Sequence, residues 1–139
     1  MRIYGARGLK ALNLVNAATK TALDLTGIAD PQNQGGGAAV TSVKASVAQL
    51  GGGSDIALTP APAPGFSGAP ALDCDGRFAG VALLKPVQVA GSTDGVPVAQ
   101  AVLVTADTVR GFLKTSGVNA AGASADAKAS VVRVICVRK

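Results

Sequence analysis

Residues 64–84, PGFSGAPALDCDGRFAGVALL, decide the fold. The second part, 71–84, predicts a β-hairpin: two apolar arms flank Asp75-Gly76, a favoured two-residue turn. In front of it, the prolines and glycines of APAPGFSGAP forbid regular structure. Gly65 and Gly68 bracket Phe66-Ser67, and glycine permits the tight turn that makes a serine point outward. Such a turn lets the amides of Gly65 and Ser67 converge on one point, where each donor lowers an acyl-transfer barrier by roughly 2.7–4 kcal/mol. A turn serine with no catalytic role is the plainer reading of these residues alone, and the whole chain contains no histidine to act as a base.

Outward from this hairpin, short strands dominate. LKALNLV (9–15) suggests an edge strand or an extended lead-in. ALDLTGIADP (22–31) alternates Leu23 and Leu25 against Asp24 and Thr26, then runs into a loop rich in glycine. AAVTSVKASVAQ (38–49) sets Val43 and Ala45 opposite Ser42 and Lys44 and predicts a second strand. DIALTP (55–60) and VPVAQAVLV (96–104) complete the set. TADTVRGFLKTSG is the one clear helix, capped by Thr105 or Asp107, with Val109, Phe112 and Leu113 on one face and Gly117 past its end. Residues 118–129 have the composition of a linker, and VVRVICVRK forms a trailing strand over 130–139. The fold class that follows is all-β: a six-stranded antiparallel Greek-key barrel with a C-terminal helix and a trailing strand, closed so that no edge stays exposed.

Composition agrees and narrows the function. The chain has 139 residues, room for one domain and a modest core, occupying 1–117 with its closing helix. All the acidic residues are Asp, which favours turns and caps over helix interiors. A net charge of +5 on scattered basic residues, with one Tyr, three Phe and no Trp, gives neither the basic stripe nor the stacking aromatics of nucleic-acid binding. No apolar run approaches membrane-spanning length. Cys74 and Cys136 match no metal spacing and histidine is absent, so neither a metal nor another cofactor is expected. Whether the two cysteines stay free or pair depends on where the last strand returns.

The order of these parts resembles the second β-barrel of trypsin-like serine peptidases, in particular their HtrA-like branch. PGFSGAPALDCDGRFAGV (64–81) is similar to that family's PGNSGGPLLNxxGxVVGI, which carries the nucleophile. LDLTGIADPQNQGGGAAVTSVKASV (23–47) resembles the VVAIGNPFG segment and the strand after it, and VPVAQAVLVTADTVRGFL (96–113) resembles the closing strand and helix. The likeness spans 9–114 in order. It implies Ser67 as nucleophile, Gly65 as an oxyanion amide beside that of Ser67, and Gly68 as the glycine after the nucleophile. It also implies Leu83, Leu84 and Lys85 as the strand to which substrate backbone adds. Ala69 and Phe66 depart from the family's second glycine and asparagine, and Phe66 is expected to alter access to the site. The trailing ASVVRVICV is similar to the first strand of HtrA-like domains.

In that family the histidine and aspartate come from the first barrel, and MRIYGARGLKALNL resembles the stretch just after its acidic residue. Two readings follow. In the first, the chain is the Ser-bearing half of a peptidase, inactive until an absent N-terminal barrel supplies the base. Lys85 is the lysine nearest along the chain to serve as a substitute base, but nothing in the sequence places it beside Ser67. In the second, the fold persists as a non-catalytic binding or assembly module. The expected partners are a peptide or protein substrate, the missing barrel, and a second copy joined through 130–139. The resemblance places the protein in the periplasm or another extracytoplasmic space.

Overall fold

Alternating side chains build a closed barrel. The computed structural model describes residues 8–15, 22–30, 39–49, 56–85, 100–120 and 122–132. Its strands are β1 (Ala22–Gly27), β2 (Thr41–Gln49), β3 (Ile56–Thr59), β4 (Pro70–Leu72), β5 (Phe78–Lys85) and β6 (Gln100–Thr105), followed by helix α1 (Ala106–Thr115). They close antiparallel in the order β1-β2-β3-β6-β5-β4. The chain passes from β3 to β4, yet β3 pairs with β6, the far strand of the β4-β5-β6 meander, which is a Greek-key arrangement.

On β1, Leu23 and Leu25 point inward. They meet Ala45 of β2, Leu58 of β3, Ala71 of β4, Ala82 of β5 and Leu103 of β6. A barrel of few strands has a narrow interior, which explains why alanine fills so many inward positions. Gly80 shows the limit, since a Cβ there would lie 2.3 Å from the Val104 carbonyl oxygen. The largest fully buried side chains are Phe66 and Leu25, each contributing about 1.5–3 kcal/mol through removal from water. Buried Thr26 is satisfied by the Ser42 hydroxyl at 3.1 Å.

The hairpin differs in detail from its sequence signal. Asp73 and Arg77 close it, with the Asp73 amide donating to the Arg77 carbonyl. The loop is therefore Cys74, Asp75 and Gly76, a turn closed by Gly76 N donating to Asp73 O with Gly76 at φ +72°, rather than a two-residue Asp-Gly turn. The Asp73 carboxylate accounts for the change. It accepts from the Asp75 and Arg77 amides, both at 2.9 Å, and from Arg77 Nε at 3.0 Å. Burial pushes its pKa up, but those hydrogen bonds and the Arg77 charge outweigh burial and leave it below the ordinary value.

Thr105 ends β6 and caps α1, its hydroxyl accepting from the Thr108 amide. At the other end, Val118 N donates to Leu113 O and Gly117 N to Lys114 O, with Gly117 at φ +71°, a Schellman cap. Val109 packs on the core as expected, but Phe112 does not: it is 68% exposed, because the helix turns its Ala106 and Val109 side toward the barrel.

The lead-in 8–15 is extended and lies between two partners. Phe78 N donates to Asn13 O and Val15 N to Phe78 O on the barrel side. On the other side Asn13 N donates to Ser124 O and Ser124 N to Ala11 O. Residues 122–132, which have a linker's composition, thus pack on the domain, with Ala127 buried in the core. Ser130 lies in a turn and its hydroxyl donates to the Lys10 carbonyl, so no strand begins there; residues 133–139 of the expected trailing strand lie outside the described residues, as do 96–99 of the strand before α1.

Candidate functional site

Ser67 is exposed at the end of a single 3-10 turn, Pro64–Phe66, that leads directly into β4. Three kinds of contact fix this turn. The Phe66 ring is buried in the barrel. Gly65 presses its α-carbon on the backbone after β1, so tightly that a Cβ would lie 1.9 Å from the Ile28 carbonyl oxygen. Past the serine, Gly68 N donates to Ala82 O and Ala82 N donates to Ala69 O, stitching the turn to β5. Gly68 adopts φ +86°, a left-handed conformation that glycine takes without steric cost.

Phe66 therefore does not gate access to the serine; its side chain points away from solvent and anchors the turn. The amides also depart from expectation. Ser67 N donates to Pro64 O at 3.1 Å and Phe66 N to Ala63 O at 2.9 Å. The Ser67 amide is thus satisfied inside the turn, and the expected convergence of the Gly65 and Ser67 amides is not presented in this conformation.

Strand β5 explains why Leu83, Leu84 and Lys85 belong to the same neighbourhood. In an antiparallel ladder both polar backbone groups of a residue face one neighbour, and successive residues alternate sides. Ala82 uses both groups toward Gly68 and Ala69, so Val81, Leu83 and Lys85 bond to β6, where Leu83 stands opposite Val102. Leu84 then directs its N–H and C=O to the side of the serine turn. Extending the Ala69–Ala82 register would place Ser67 opposite Leu84, but Gly68 swings the chain away first. The β4 ladder along β5 runs over Phe78–Val81, and the bonds of Gly68 and Ala69 to Ala82 extend it by one residue.

Lys85 ends β5 and is exposed. Cys74 is exposed in the hairpin loop; Cys136 lies outside the described residues. Among the described residues no three His, Cys, Asp or Glu side chains gather as metal ligands would, and no helix is long and apolar enough to cross a membrane. At the Phe78 end of β5, away from the serine, Leu9, Leu12, Leu14, Leu113 and Val118 line a shallow apolar groove. The residues that sequence reasoning undervalued are Phe66 and Gly27. A Cβ on Gly27 would lie 2.9 Å from Phe66 Cδ1, and the available signal was a large aromatic set between glycines in a chain with few aromatics. No family model matches the chain, and neither the curated proteins nor the solved structures supply a match.

Proposed function

We propose that the chain is the Ser-bearing barrel of a trypsin-like serine peptidase, inactive by itself, that holds an extended peptide along Leu83–Lys85 beside Ser67. The observation that carries this reading is an exposed serine on a glycine-bounded turn that is bonded to β5 through Gly68, Ala69 and Ala82, two residues before Leu84. A histidine from a separate barrel, oriented by its aspartate, takes the Ser67 hydroxyl proton while Oγ attacks the peptide carbonyl. The C–N bond then breaks, the amine leaves with that proton, and water hydrolyses the acyl-serine. Without a base a serine hydroxyl is a poor nucleophile near neutral pH, and this chain has no histidine. The Ser67 amide must also leave the Pro64 carbonyl before it can stabilise an oxyanion.

That last hydrogen bond favours a second reading, in which the barrel binds extended peptides in the cell envelope and cleaves none. Both readings place the protein outside the cytoplasm. Fluorophosphonate labelling separates them, using the chain alone, the full product of its gene, and Ser67→Ala in each. Labelling of the full product alone, lost with Ser67→Ala, supports the peptidase. Absence of labelling in both supports the binding module. Labelling of the isolated chain refutes the inactivity proposed here and directs attention to Lys85.

A further inference from the structure

The serine turn is tied to the barrel by backbone contacts and by one side chain that reaches into the core. Phe66 immediately precedes Ser67 and is only 1% exposed, while Ser67 itself is exposed. The ring lies on Gly27, the last residue of β1: a Cβ built on Gly27 would sit 2.9 Å from Phe66 Cδ1 and 3.3 Å from Cε1, and 3.2 Å from the Ala69 Cβ. The Phe66 backbone is used as well, its N–H donating to Ala63 O and its carbonyl accepting from Ala69 N at 3.0 Å. Immediately beyond Gly27, the Ile28 and Ala29 carbonyls crowd Gly65. The end of β1 thus touches the turn on both sides of the Gly65–Phe66 peptide.

We infer that Phe66 is a positioning residue for Ser67, and that Gly27 is glycine so that the Phe66 ring can seat. A plug of this kind sets the position of the serine relative to β5 from inside the barrel, with no second domain required to order the turn. The part Ser67 then plays rests on the function proposed above; the positioning does not. Packing of this density transmits a misfit of a single methyl group, because close-packed interiors have little free space to absorb it.

The test uses hydrogen exchange by NMR on the full chain. Gly27→Ala places a methyl against the ring, and Gly27→Ala with Phe66→Leu returns the room. Thr105→Ala, at the helix cap on another part of the fold, serves as a control that lowers stability without touching the turn. Gly27→Ala is expected to speed exchange at Gly68 and Ala69 at least tenfold more than at the amides shared by β5 and β6. The double variant is expected to bring Gly68 and Ala69 back to within threefold of the starting protein. Thr105→Ala is expected to change all these amides together. Parallel acceleration of turn and barrel amides in Gly27→Ala, or failure of Phe66→Leu to restore the turn, overturns the inference. Peptide addition is followed separately, by chemical-shift changes at Leu83–Lys85. Its absence would count against the proposed function and leave the positioning of Ser67 standing.

Discussion

Gly65 and Gly68 flank the same residue pair for different physical reasons, and alanine should separate them. Gly65 has no left-handed φ, so its backbone suits any residue. What excludes a side chain is space, since a Cβ would lie 1.9 Å from Ile28 O, 2.6 Å from Ala29 O and 2.8 Å from Ala29 C. Those are backbone atoms and cannot rotate aside. Relief requires the turn or the end of β1 to move by about 1 Å or more, and overpacking of this kind costs about 1–3 kcal/mol. The upper end applies here because the obstacle is main chain. Gly68 is the reverse case: nothing lies within 4 Å of its added Cβ, but φ is +86°. There the cost is conformational, about 1–2 kcal/mol for alanine and less for asparagine, which tolerates the left-handed region. The order of substitutions therefore inverts. At position 65 asparagine is worse than alanine; at position 68 it is better. Urea unfolding at equilibrium, with unchanged m-values, measures all four variants. A Gly65→Ala protein within about 0.5 kcal/mol of the parent, the range of an ordinary surface substitution, would refute the reasoning.

Asp73 has its pKa lowered in the folded protein, so its contribution to stability is fully present above the unfolded carboxylate value near 3.9 and is lost as pH falls through the folded value. Unfolding titrations should show Asp73→Asn flattening the loss of stability below about pH 4 while lowering stability at neutral pH. Thr105→Ala removes the acceptor for the Thr108 amide and should cost about 1 kcal/mol by thermal or urea unfolding, with Thr105→Ser recovering most of it. Phe112→Ser should change stability by less than about 0.5 kcal/mol despite the loss of an aromatic ring, because that ring is exposed; a larger loss would mean that it packs against something.

The barrel was legible because its signals are local and repeat. Alternation along β1 and β2, the glycine-bounded turn before β4, and the Thr105 and Gly117 caps each name an element from neighbouring residues alone. The Asp75-Gly76 signal marked the right hairpin with the wrong loop length, since a two-residue preference could not register the Asp73 carboxylate gathering two amides and a guanidinium. Phe112 misled for a similar reason. Helical periodicity assigns a face but not the width of the face that a neighbour covers. At the candidate site, the exposure of Ser67 follows from its glycines, but Phe66's inward orientation depends on an empty space at Gly27, far back in the sequence. The commitment of the Ser67 amide to Pro64 is likewise a matter of peptide orientation, which composition and spacing do not encode. Residues 118–129 have too few apolar side chains to predict docking, yet Ala127 finds a core position and Gly122 permits contact with the Leu12 backbone.

The way 122–132 lies over the lead-in bears on how the molecule must be made. Ser130 and Lys10, joined through a hydroxyl and a carbonyl, are 120 positions apart. Closing so long a loop is entropically expensive, and contacts of this range slow folding. During synthesis the hairpin and helix can form as they emerge, but the lead-in lacks one of its two flanking partners until the chain has grown past Ser124. A fragment cut at residue 117, where the sequence suggests a domain end, would leave Ala11 O and Asn13 N without their partners and the place of Ala127 empty. The earliest part of the described chain is thus secured by the latest, and the lead-in stays paired on one side only until residues 122–130 have been made.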